Sequence, residues 1–109
     1  MIELEPYFGL GKIIAFLEEC DPNSICKLGF HNPHSYRGYY EDLCFEPAEN
    51  VPVGIMLLAA KESLGKTFEG YKGGSFTMED YTTCWLGYYG HSGGEVIGNV
   101  MLSFMTGKL

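Results

Sequence analysis

Leu10, Ile13, Ile14 and Leu17 recur at i, i+3, i+4 and i+7, with Lys12, Glu18 and Glu19 on the other faces. That spacing predicts a short amphipathic helix with one buried stripe, stopped by Asp21-Pro22-Asn23. The period then changes to two. In Ile25-Cys26-Lys27-Leu28-Gly29-Phe30, Cys26, Leu28 and Phe30 share one face of a predicted strand. Residues 31–38 read as a loop. Residues 40–46 read as a second strand, with Leu43 and Phe45 inward, Asp42, Cys44 and Glu46 opposite, and Pro47 ending it. Helical spacing returns with Val53, Met56, Leu57, Ala60 and Leu64 on one stripe. Asn50 suits the N-cap of that helix, Pro52 its first turn and Gly65 its stop.

The rest of the chain is richer in turns. Residues 67–72 read as a strand, Gly73-Gly74 as a tight turn and residues 75–78 as the returning strand. Residues 82–89 are β-branched and aromatic, a further strand, followed by the flexible turn Gly90-His91-Ser92-Gly93-Gly94. Residues 95–104 fit either period, and Gly98, which weakens a helix, tips the reading to strand. Together these elements predict one α+β domain over residues 1–109, with an antiparallel sheet of about five to six strands and two helices packed on one face.

Composition narrows the function classes. Fourteen acidic residues against seven basic ones give a formal charge of −7. That charge disfavours duplex nucleic acid and anionic membrane surfaces, both of which attract basic side chains. The acids are concentrated in residues 1–49 and residues 50–78 are slightly basic, so a local anion site remains open. No apolar run approaches the ~20 residues of a membrane-spanning helix. The opening Met-Ile-Glu-Leu-Glu carries no leader pattern, so a cytosolic protein is expected, with Cys20, Cys26, Cys44 and Cys84 reduced and mostly buried.

Several chemistries fail on spacing. Gly65-Lys66-Thr67 resembles the end of a phosphate-binding P-loop, but its first glycine would fall at Ala60 and a helix precedes it. His31 and His34, with Cys44 or His91, lack a second closely spaced ligand pair, so neither a metal nor another cofactor is expected. Pairing Cys84 with His91, or Ser35 with His34, matches no nucleophile–base motif, so no catalytic residue is assigned and a non-enzymatic protein is expected. What stands out is Arg37, the only arginine, among His34, Ser35, Tyr36, Gly38, Tyr39 and Tyr40. Stacking rings around a guanidinium suit a planar anion. Two structural roles stay open for Arg37: pinning its loop through Glu41 or Asp42, or lying at a subunit interface. Phe68, Tyr71, Lys72, Gly73 and Gly74 repeat the combination of ring, cation and glycine and form the second half of the candidate site.

The run 33–40, the Leu43-Cys44-Phe45 strand and the run 65–74 resemble a group of small bacteriophage proteins, in which a Ser-Tyr-Arg-Gly loop precedes a strand and an aromatic-Lys-Gly-Gly hairpin follows a helix. Small phage proteins of this size include Thoeris anti-defence sponges. The resemblance implies a protein that binds a cyclic oligonucleotide or cyclic ADP-ribose-type immune signal in the host bacterial cytosol without cleaving it. One arginine and one nearby lysine are few for two or three phosphates, so a homo-oligomer with sites near subunit interfaces is expected. The alternative is an acidic protein–protein inhibitor of a host defence nuclease, of the anti-CRISPR or anti-restriction type, relying on Glu18, Glu19, Glu41 and Asp42.

Overall fold

The computed structural model describes residues 8–70 and 72–107. In chain order these form α1 (Leu10–Glu18), β1 (Ile25–Tyr36), β2 (Tyr39–Pro52), α2 (Val53–Ser63), β3 (Thr67–Glu69), β4 (Ser75–Thr77), β5 (Cys84–Leu86), β6 (Glu95–Val96) and α3 (Asn99–Thr106). The fold is α+β, as the patterning predicts, but the sheet differs. β1, β2, β5 and β6 form a four-stranded sheet in that order, and β3 and β4 form a separate ribbon. The sheet is mixed, because β5 lies parallel to β2. The chain between β2 and β5 crosses over through α2 and the ribbon, as a parallel neighbour requires. There are also three helices among the described residues, where the pattern predicts two.

The core draws Leu10, Ile13 and Leu17 from α1 and Val53, Met56 and Ala60 from α2, all fully buried. Phe30 and Phe45 pack ring to ring at 4.3 Å in its centre. Leu10 and Gly11 donate backbone N–H bonds to the Thr82 and Asp80 carbonyls, at 2.9 and 2.8 Å, so neighbouring chain satisfies the first turn of α1.

The hairpin β1–β2 departs most from the expected pattern. Residues 31–36 continue the strand, and only Arg37 and Gly38 form the turn. His31 pairs with Glu46 and His34 with Cys44, so two β1 residues, Asn32 and Pro33, oppose Phe45 alone. Such a bulge accommodates a proline. Asn32 takes φ 49°, a conformation asparagine tolerates better than most residues, and its side chain bonds Glu46. Pro47 does not end β2 but pairs with Phe30. The β5 pairing stops at Phe45, so Pro47 lies on an edge, where a missing N–H is tolerated.

Asn50 is not the cap of α2. It sits within β2 at φ 55°, and Pro52 occupies the N-cap. The Val53 and Gly54 N–H groups donate to the Ser24 and Pro22 carbonyls, at 2.9 and 3.0 Å, so a facing turn does the work of a capping side chain. Gly65 follows the helix in a left-handed conformation, φ 78°, as a stop residue should, while Leu64 is exposed rather than on the buried stripe.

The strand predicted over 82–89 contracts to Cys84–Leu86, and 95–104 is mostly helix. Gly98 stands at the N-cap of α3, outside the helical interior, so its entropic cost to a helix does not apply. The ribbon keeps its predicted turn, with Gly73 and Gly74 both at positive φ, but its strands shorten to Thr67–Glu69 and Ser75–Thr77 and stand apart from the main sheet. No described helix is long and apolar enough to cross a membrane.

Candidate functional site

Tyr36, the last residue of β1, organises the hairpin tip. Its ring is buried and stacks on Trp85 of β5, with centroids 4.4 Å apart and planes 16° from parallel. A Cβ at Gly38 would lie 2.5 Å from Tyr36 Cε2, and one at Gly94 would lie 3.2 Å from Cε1. The ring therefore leaves no room for a side chain at Gly38 and only a tight fit for one at Gly94. Its hydroxyl donates to the Ser92 carbonyl at 2.6 Å and accepts from the Gly94 N–H at 3.1 Å.

Those bonds clasp residues 87–94 over the tip, and two further contacts strengthen the clasp. Arg37 Nη1 donates to the Gly90 carbonyl at 2.6 Å. Tyr89 meets the His34 imidazole edge-on at 5.2 Å. Beneath them, Trp85 Nε1 donates to Asp42 Oδ2 at 2.9 Å. Burial raises the Asp42 carboxyl above its usual range, the Trp85 bond pulls it back down, and the Glu41 charge raises it further.

The candidate residues divide by what they touch. His34, Ser35 and Tyr36 are buried. His34 Nδ1 lies 3.1 Å from the Asn32 carbonyl, and Ser35 Oγ donates to the Tyr40 carbonyl at 2.7 Å. Gly38 gives the Tyr36 ring its space. Arg37, on the turn, and Tyr39, the first residue of β2, are exposed, and the Tyr39 hydroxyl donates to Glu41 at 2.9 Å. That bond and the Glu41 charge raise the Tyr39 phenol above its ordinary value.

In the second segment, Lys72, Gly73 and Gly74 are exposed and Phe68 is half-buried under Lys66, whose Nζ lies 5.1 Å from the ring centroid. Tyr71 lies outside the described residues. This segment approaches the hairpin through Tyr40. Tyr40 meets Phe76 edge-on at 6.0 Å, and a Cβ at Gly70 would lie 3.3 Å from its ring. Arg37 instead bonds the 87–94 loop.

Tyr88, Tyr89 and His91 are not among the site residues that the sequence pattern marks. Tyr88 and Tyr89 are exposed, and Tyr88 faces the His91 ring at 6.1 Å. The available signal was the tyrosine pair followed by Gly-His-Ser-Gly-Gly, a segment flexible enough to fold back over a neighbour. The thiols play a different part. Burial pushes Cys44 up to about 12 and raises Cys84 as well, so both remain protonated thiols near neutrality rather than nucleophiles. Among the described residues, no three His, Cys, Asp or Glu side chains gather as a metal site.

The surface thus offers a guanidinium bonded to the loop that carries two exposed phenol rings, groups that stack flat rings and attract negative charge. No protein-family model matches the chain, and neither a curated protein nor a solved structure matches it significantly.

Proposed function

We propose that the protein is a non-catalytic binding module that captures a planar, anionic, nucleotide-derived small molecule on the face formed by Arg37, Tyr39, Tyr88 and Tyr89. One observation carries this reading: the sole arginine is exposed, and a 2.6 Å bond to the Gly90 carbonyl ties it to the loop that carries the exposed Tyr88 and Tyr89. A guanidinium held in advance loses less entropy when it binds an anion. Phenol rings add stacking area at low rotamer cost. Lys72, exposed in the turn of the neighbouring ribbon, supplies a second cation. In its full form the reading is a phage anti-defence sponge in the host bacterial cytosol. It removes a cyclic oligonucleotide or cyclic ADP-ribose-type signal intact, and it self-associates so that one arginine per chain suffices.

Calorimetry against cyclic dinucleotides, cyclic trinucleotides and cyclic ADP-ribose isomers tests it. The expected result is stoichiometric uptake, with the ligand recovered unchanged after denaturation. Arg37→Ala should weaken binding at least ~10-fold, the value of a charge-assisted hydrogen bond, while the protein remains folded. A blank panel, or undiminished binding by the variant, overturns the reading. Turnover of the ligand overturns its non-catalytic part. Activity lost on reversal of Glu18, Glu19 and Glu41 but kept by Arg37→Ala would instead identify an acidic inhibitor of a protein partner.

A further inference from the structure

α3 sends Asn99, Leu102 and Ser103 into the interior. Its other side, Val100, Met101, Phe104 and Met105, forms with Leu28 of β1 and Leu86 of β5 a groove of about 640 Å³. Phe104 is 79% exposed and Leu28 is 68% exposed, so large apolar groups stand out from the same face that carries the groove. Exposed apolar side chains grouped around a groove mark a contact surface.

We infer that this groove is the contact between two copies of the chain related by a two-fold axis, with Phe104 of each copy seated in the groove of the other. The occupant follows from charge and shape. Among the described residues, the groove is edged by one lysine, Lys27, and one glutamate, Glu95, both exposed. The chain has a formal charge of −7, so two copies repel unless they meet where the local charge cancels. Here it does cancel. In a two-fold contact, each Lys27 has the second copy's Glu95 as its complement, whereas a basic or acidic partner leaves one of the two charges opposed. Shape agrees, because the same face carries both the projecting ring and the hollow. Met101 and Met105, unbranched and adaptable, suit walls that repack around an inserted ring. This assignment names the surface for the self-association included in the reading above and rests on that part of it alone.

Sedimentation velocity over a concentration series on the whole chain, with circular dichroism as a folding control, tests the contact. The wild type should show a monomer–dimer equilibrium. Phe104→Glu should raise the dimer dissociation constant at least ~30-fold, as expected for a central aromatic anchor, and leave the dichroism unchanged because the ring is exposed in the monomer. Lys27→Glu should weaken the dimer roughly 3- to 10-fold, and adding Glu95→Lys should restore it. The double reversal removes no apolar group, so its rescue is informative even if Phe104→Glu folds poorly. A wild type that is monomeric at every concentration overturns both this contact and the self-association it rests on. A dimer that survives Phe104→Glu, or charge reversal without rescue, overturns the contact alone. The nucleotide panel is read separately, so a blank panel beside an intact dimer removes the ligand reading and leaves this interface.

Discussion

The Tyr36 ring lies against the Trp85 indole, 4.4 Å between centroids, and the Tyr36 hydroxyl reaches past it to the backbone of Ser92 and Gly94. One side chain thus joins the tip of the hairpin, the short parallel strand β5 and the glycine-rich loop that follows it. Arg37 comes next in the chain and takes its position from the same clasp, through the Gly90 carbonyl. The residue that most resembles a binding group therefore depends on a neighbour whose role is structural.

Tyr36→Phe keeps the stack but removes the hydroxyl, leaving the Ser92 carbonyl without that donor and the Gly94 N–H without that acceptor. The expected cost is about 1–2 kcal/mol in chemical denaturation, with faster amide exchange at Gly94. Tyr36→Ala also removes the ring and should cost about 3–5 kcal/mol. Unchanged exchange at Gly94 in Tyr36→Phe would show that the loop is held by other contacts.

Gly38→Ala places a methyl 2.5 Å from the Tyr36 ring, a distance the buried ring must move to relieve. We expect a loss of about 1–3 kcal/mol together with a change in Trp85 fluorescence as the stack is displaced. Gly93→Ala is the control. A Cβ there meets nothing within 4 Å, so stability should change little.

Asp42 gives the protein a pH dependence of definite sign. Its folded value is raised, chiefly by burial, so between the unfolded and folded values the folded state binds more protons. Stability contributed by this group therefore falls as pH rises through that window, and the penalty persists at neutral pH. Asp42→Asn keeps an acceptor for Trp85 Nε1 and removes the buried charge. Its melting temperature should equal or exceed that of the wild type at pH 7, and the difference should shrink as pH falls through the carboxylate range. A difference that grows on acidification would reverse the assignment.

The four thiols are free, and Cys20 alone is partly exposed. Burial raises Cys26 and Cys84 and holds Cys44 at about 12. A colourimetric thiol reagent at pH 8 should label Cys20 rapidly in the native protein and all four cysteines after denaturation. Rapid native labelling of Cys44 would mean that β2 and β5 separate readily.

Much of the local structure was readable because it depends on near neighbours in the chain. The apolar stripes of α1 and α2, the Gly65 stop and the double-glycine turn follow from periodicity and backbone freedom within a few residues. The errors occur where a distant segment supplied what the local sequence lacked. Asn50 looked like a cap because a helix start needs acceptors, but the turn at Pro22 and Ser24 supplies them. Pro47 looked like a terminator because it lacks a donor, yet it stands on an edge where none is needed. Gly98 argued against a helix only while it was placed inside one.

The sequence by itself determined the α+β class, helices α1 and α2, the Gly73-Gly74 turn and the rarity of Arg37, since each is a matter of composition or short-range spacing. Tertiary structure alone decided that β5 lies parallel to β2, that residues 31–36 are strand and that Arg37 turns to the Gly90 loop. It also set the exposed Gly38 against the buried Tyr36 ring. Strand pairing and side-chain burial depend on which groups remain unsatisfied after distant segments meet, and no local pattern records that.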